Sequence, residues 1–176
     1  MTNTLRDANI TGANLSDITL RNAHLSSAHL SGANLGGADV SGADLIGADL
    51  RGANLGGADV RYANLRGADL SEADLRGANL VSTNLEGANL SDADLRGANL
   101  SGARLEDTNL SSANLYSTWL RGVDLRGANL TNTGLKLLET RIWIVCVQKE
   151  HTTIGCRLHT NKEWLNFNDA EIDKMD

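Results

Sequence analysis

Gly42-Ala43-Asp44-Leu45-Ile46-Gly47-Ala48-Asp49-Leu50-Arg51-Gly52 reads as one five-residue unit written twice, Ala-(Asp/Asn)-Leu-X-X. Working outward in both directions, the register never slips. Every fifth residue from Leu5 to Leu135 is a large aliphatic, 27 consecutive centres, and only Ile10, Val40 and Val60 are not leucine. Two residues before each centre stands something small, usually alanine. Between them is usually Asp or Asn. Ser or Arg is common at the first X, and Gly at the second.

A period of five fits neither the 3.6-residue turn of a helix nor the alternation of a strand. The two halves of the unit account for it. Ala and Leu lie two apart, so in an extended segment they point to one side. The X-X pair that follows is turn chemistry. Each unit is thus a short extended piece and a bend, always toward the Ala/Leu side. Such a chain winds into a narrow coil, and stacked coils give backbone N–H and C=O groups their partners. Leu85, mid-way along, is expected at full burial in the axis.

Ala93-Asp94-Leu95-Arg96-Gly97-Ala98-Asn99-Leu100 and the 42–52 stretch resemble the pentapeptide repeat family. The resemblance implies an all-β solenoid, a right-handed quadrilateral β-helix with four units per coil. With four units per coil, residues twenty apart stack. Asn34 over Asn54 and Asn79 over Asn99 become Asn ladders, a favourable device. Asp39 over Asp59, Asp49 over Asp69 and Asp74 over Asp94 become like-charge neighbours. Arg51, Arg61, Arg76 and Arg96 each stand two residues after one of these acids.

The 176-residue chain is 41% hydrophobic but only 3% aromatic, with no proline and a net charge of −6. A thin Leu/Ala core suits that shortage of rings. The mild acidity argues against direct nucleic-acid binding and against anionic membranes. No apolar run approaches a membrane span, and the N-terminus does not read as a signal peptide. The two cysteines make no disulfide framework. A cytoplasmic protein is expected.

After Leu135 the register fails. The domain reading is 3–136 for the β-helix and 137–176 for a small cap of a β-hairpin and short helices. Residues 140–148 read as a strand, Lys149-Glu150-His151 as a turn, and 152–159 as a second strand. Thr160-Asn161-Lys162-Glu163 is a capping-box pattern before a short helix. Trp143, Trp164 and Phe167 are expected to cover the last coil. Residues 154–175 are similar to a C-terminal segment of bacterial and phage proteins of unassigned function, some following pentapeptide repeats. That resemblance implies no chemistry.

No nucleophile–base pair stands out, and the glycines sit at turn spacing rather than before a helix. The repeated acids read as solvated rungs. Cys146, His151, Cys156 and His159 are the one group of metal-ligand types in the tail. Cys146 lies in an apolar run and reads as a small hydrophobe, so no metal site and no cofactor is expected. His24 and His29 read as outward surface histidines.

An outward-pointing pair, Tyr116 and Trp119, is the candidate interaction surface; the alternative reading is that the C-terminal tail covers it. At the other end, the side chains of Leu5, Ile10 and Leu15 are expected on an open coil edge, which could pair two copies as a homodimer. The function expected is a non-enzymatic scaffold or protein-interaction module with a protein partner. The alternative, implied by the family resemblance, is a DNA mimic that binds gyrase or a related topoisomerase. Against that alternative, the centres lack Phe, no loops interrupt the register and the acids are interleaved with Arg.

Overall fold

A computed structural model of the chain describes residues 4–133, 135–138, 143–147, 151–154 and 157–160. Two compact units result, Met1–Thr133 and Gly134–Asp176.

In the first unit the isolated parallel bridges all join residues twenty apart, from Thr4↔His24 to Asn109↔Asn129. Four five-residue units therefore complete one coil. The coil has four faces, entered in order at Thr4, Asn9, Asn14 and Thr19.

One unit shows how the backbone is satisfied. The Ala48 N–H closes a turn onto the Leu45 carbonyl at 3.0 Å. Asp49 N–H donates back one coil to Ala28, at 2.9 Å, and Leu50 N–H donates forward to Asp69, at 2.7 Å. Gly52 N–H donates forward to Ser71 at 2.9 Å. The fifth donor, Arg51 N–H, goes to Oδ1 of Asp49 at 3.2 Å. No N–H of the unit is left over, as a narrow coil requires.

That last bond repeats wherever the position holds Asn or Asp, for example Thr11 on Asn9, Gly56 on Asn54, Ser91 on Asn89 and Thr131 on Asn129. The carboxylate or amide oxygen thus closes each corner as an Asx-turn does. Among the described units six carry another residue there: Thr4, Thr19, His24, His29, Arg104 and Trp119. The corner's second residue has positive φ in every described unit, glycine or not, from Asp7 to Asn132. With the carbonyl-to-N–H bond across the corner, this is type II turn geometry.

The core is the Ala/Leu ladder itself. Ala28, Leu30, Leu50, Leu70 and Leu85 are fully buried. Buried threonines that replace alanine are also satisfied: Thr83 Oγ1 donates to the Val60 carbonyl and Thr108 Oγ1 to that of Leu85, both at 2.8 Å.

The second unit holds four strands: β1 Leu135–Leu138, β2 Trp143–Val147, β3 His151–Ile154 and β4 Arg157–Thr160. They pair antiparallel in the order β1-β2-β3-β4. This is more strand than a single hairpin. Leu135, the last centre of the five-residue register, lies in β1 opposite Cys146. The stretch 152–159 divides into β3 and β4, with Ile154 opposite Arg157. His151 opens β3 rather than completing a turn. The helices expected after Thr160 fall outside the described residues, as do the side chains of the tail cysteines and histidines.

Candidate interaction face

The corner oxygens also organise the outer surface. Because Oδ1 is turned toward the next N–H, an asparagine's Nδ2 is free to reach the coil before it. On the third face Asn34 donates to Asn14 at 3.2 Å and Asn54 to Asn34 at 2.9 Å. On the second face Asn89 donates to Asp69, Asn109 to Asn89 and Asn129 to Asn109, at 3.0–3.1 Å. Gly36 lies against the third-face ladder; a Cβ there would stand 3.2 Å from both Asn34 Oδ1 and Asn54 Nδ2.

The acids are neutralised locally. Arg51, Arg61, Arg76, Arg96 and Arg126 each grip the aspartate two residues back through Nε and an Nη. Those hydrogen bonds hold Asp49, Asp59, Asp74, Asp94 and Asp124 below the usual carboxylate range. On the first face, Arg66, Glu86, Arg104, Glu106, Arg126 and Asp124 form a chain of alternating charge. Arg104 takes an Asn/Asp position there, and its guanidinium bridges Glu86 at 2.8 Å and Glu106 at 3.3 Å.

Against this self-satisfied background a few side chains stand out. Trp119 is 66% exposed and Tyr116 57% exposed. Trp119 lies on the fourth face, its backbone bridged to Asn99. Tyr116 is in the preceding corner. Tyr62, also exposed, occupies the corner after Asp59 on the same face, with φ of 60°. The fourth face with its corners carries Arg21, Arg61 and Arg121 against Asp39 and Asp59. Each of the other three carries more acids than arginines.

At the N-terminal coil, Leu5, Ile10 and Leu15 are half-buried and Ile18 is 38% exposed. The backbone N–H groups of Asn9, Asn14 and Thr19 have no partner among the described residues. His24 and His29 are exposed on adjacent faces, bridged to Asp44 and Asp49. Among the described residues no group of three or more His, Cys, Asp or Glu side chains could hold a metal ion. No described helix is long and apolar enough to cross a membrane.

The family model "Pentapeptide repeats" matches in overlapping segments from residue 5 to residue 136. The chain belongs to the pentapeptide-repeat family. Its β-helix is accordingly the right-handed quadrilateral solenoid of that family. Among solved structures it is similar to HetL of the cyanobacterium Nostoc, a pentapeptide repeat protein involved in heterocyst differentiation regulation. The two are 37% identical over 74% of this chain and 65% of that one, with a TM-score of 0.45. This pentapeptide-repeat chain thus spans just under two thirds of HetL. A thylakoid-lumen pentapeptide repeat protein of Arabidopsis thaliana is 36% identical over 56% of this chain and 69% of that one, with a TM-score of 0.55. Rfr23 of the cyanobacterium Cyanothece is 29% identical over 69% of this chain and 90% of that one, at a TM-score of 0.39. No curated protein matches.

The sequence marked Tyr116 and Trp119. It passed over Arg121, which forms no ion pair among the described residues, although the signal was available. Five other arginines at that position in the unit follow an aspartate, and Arg121 follows Trp119.

Proposed function

We propose that the chain is a non-enzymatic protein-interaction rod whose contact surface is the fourth face, around Tyr116 and Trp119, in the cytoplasm. The observation that carries this is the contrast between those two rings and the rest of the rod. Elsewhere large apolar side chains mostly face the axis, Ile18 and Ile46 excepted, and the one other exposed ring among the described residues, Tyr62, lies in a corner of the same face. Exposed Trp and Tyr supply contact area at low entropic cost and recur at interface centres. The paired acids weaken the alternative of a DNA mimic, because an aspartate held by its own arginine presents little net field. A photo-crosslinking residue placed at 116 should capture a discrete protein in cells, and the same residue placed at 31 on the second face should not. Equal capture from both positions contradicts the reading.

A second reading is self-association through the first coil. In every later coil the Asn/Asp residue turns both its N–H and its C=O toward the coil before it; Asn34 donates to the Ala13 carbonyl and accepts from the Leu15 N–H. By the same geometry Asn9, Asn14 and Thr19 turn both groups outward. A residue offering both groups on one side suits an antiparallel hydrogen-bonded pair with its own copy, and a two-fold axis supplies such a copy. Sedimentation of residues 1–176 should give a dimer that Ile10→Glu dissociates without unfolding. A monomer at high concentration removes this second reading.

A further inference from the structure

Within this chain most arginines at the first corner position find a carboxylate in one of two places. They take the aspartate two residues back, as in the pairs Asp49–Arg51, Asp59–Arg61, Asp74–Arg76, Asp94–Arg96 and Asp124–Arg126. Failing that, they reach an acid on the next coil, as Arg21 reaches Asp39 and Arg66 reaches Glu86. Arg121 has neither. Two residues back stands Trp119, and no ion pair to Arg121 forms among the described residues. At this unit the position that elsewhere carries the paired carboxylate carries an indole instead, two residues before an exposed guanidinium.

We infer that Trp119 and Arg121 form a docking site for an acidic segment of a partner protein, an Asp or Glu side chain seated on Arg121 beside an apolar residue packed on Trp119. This rests on the interaction-rod reading and names the chemistry of its site. Charge complementarity selects the occupant. The fourth face is the one face with more arginines than acids, and the stretch of it from Asn79 through Ser101 to Gly122 contains no carboxylate. Arg121 is exposed, and its backbone is fixed by the Gly102 N–H donating to its carbonyl at 2.8 Å. An Arg–carboxylate fork adds direction as well as attraction, and the indole face adds apolar area. A nucleic acid could also stack and pair here, but the chain's net charge of −6 opposes a polyanion.

The test is selection of a phage-displayed random dodecapeptide library on the full chain, followed by affinity measurement of the enriched peptides. Enriched peptides should carry Asp or Glu beside Leu, Ile, Phe or Trp. Arg121→Gln and Trp119→Ser should each weaken them at least about tenfold, as loss of a charge-assisted fork or a buried ring does. Arg121→Glu should instead bind the same peptides with their acid changed to Lys. Circular dichroism and thermal unfolding check that the variants keep the fold. Peptides that bind equally well to Arg121→Gln overturn this site while leaving the interaction-rod reading in place. Failure to enrich any peptide overturns the site, while discrete crosslinking from position 116 would still uphold the rod. Tighter binding of a single-stranded oligonucleotide than of any acidic peptide, lost in Arg121→Gln, overturns the choice of partner.

Discussion

Asn89 donates from Nδ2 to Oδ1 of Asp69 across one coil, at 3.1 Å. Asn109 and Asn129 extend the same line upward. Asparagine both accepts and donates, so it can pass the ladder on. Aspartate only accepts, so Asp69 starts the line and cannot reach further back. The choice between Asn and Asp in the repeat is therefore a choice between continuing a ladder and ending one. Where a ladder ends, arginine takes over, as at Asp74 and Asp94.

This relationship gives the first prediction. Asn109 accepts Ser111 N–H, donates to Asn89 and accepts from Asn129. Asn109→Ala removes all three bonds from a partly buried site. Net losses of about 1 kcal/mol per bond, reduced by water access, suggest about 1–3 kcal/mol. Urea unfolding measures it, and a change below about 0.3 kcal/mol would deny the corner-closing role.

The core gives the second. Leu85 is 0% exposed. Leu85→Ala should cost about 2–5 kcal/mol, and Leu85→Asp more, since it leaves a charge without a partner in the axis. Unchanged thermal unfolding of either variant would refute the five-residue register.

A third prediction runs against the usual effect of glycine. Glu72 holds φ at 60°, in the left-handed region that costs a side-chain-bearing residue roughly 1–2 kcal/mol. Glu72→Gly removes that cost and returns about 0.5–1 kcal/mol in chain entropy. The variant should be equal or more stable by up to about 1 kcal/mol. A loss of more than about 1 kcal/mol in thermal unfolding would show that the corner is not strained.

Acid sensitivity gives the fourth. Asp94 is held below its ordinary pKa chiefly by hydrogen bonds from the Arg96 side chain. A depressed carboxylate contributes stability that is present above its unfolded pKa of about 4 and is lost as pH falls through the folded value. The pair should therefore support the rod at neutral pH and cease to in acid. The contribution is small because the guanidinium is in solvent. In Arg96→Gln, the Asp94 carboxyl followed by NMR should titrate at higher pH than in the parent chain. An unchanged titration would show that the arginine is not the cause.

The period, the buried ladder from Leu20 to Leu115 and the outward place of Tyr116 and Trp119 could be read directly from residue types. The number of faces came from resemblance, because five-residue spacing alone does not say how many bends close a coil. The corner role of Asn and Asp was hidden because stacking and turn closure call for the same residues, and only the geometry of Asp49 with Arg51 N–H separates them. Arg121 was passed over because its lack of a carboxylate partner among the described residues shows only when each arginine is set beside the residue two before it. β1 was hidden because Leu135 satisfies the five-residue register and a strand equally well.

The central claim is that partner contact is confined to one face. The most direct measurement compares partner affinity across four exposed single substitutions, one per face: Trp119→Ser on the fourth, Arg51→Ser on the second, Arg76→Ser on the third and Arg126→Ser on the first. The partner is the protein crosslinked from position 116, measured by isothermal titration. The account predicts at least about tenfold loss for Trp119→Ser and less than about twofold change for the other three. Comparable losses on two or more faces, or none at Trp119, would contradict it.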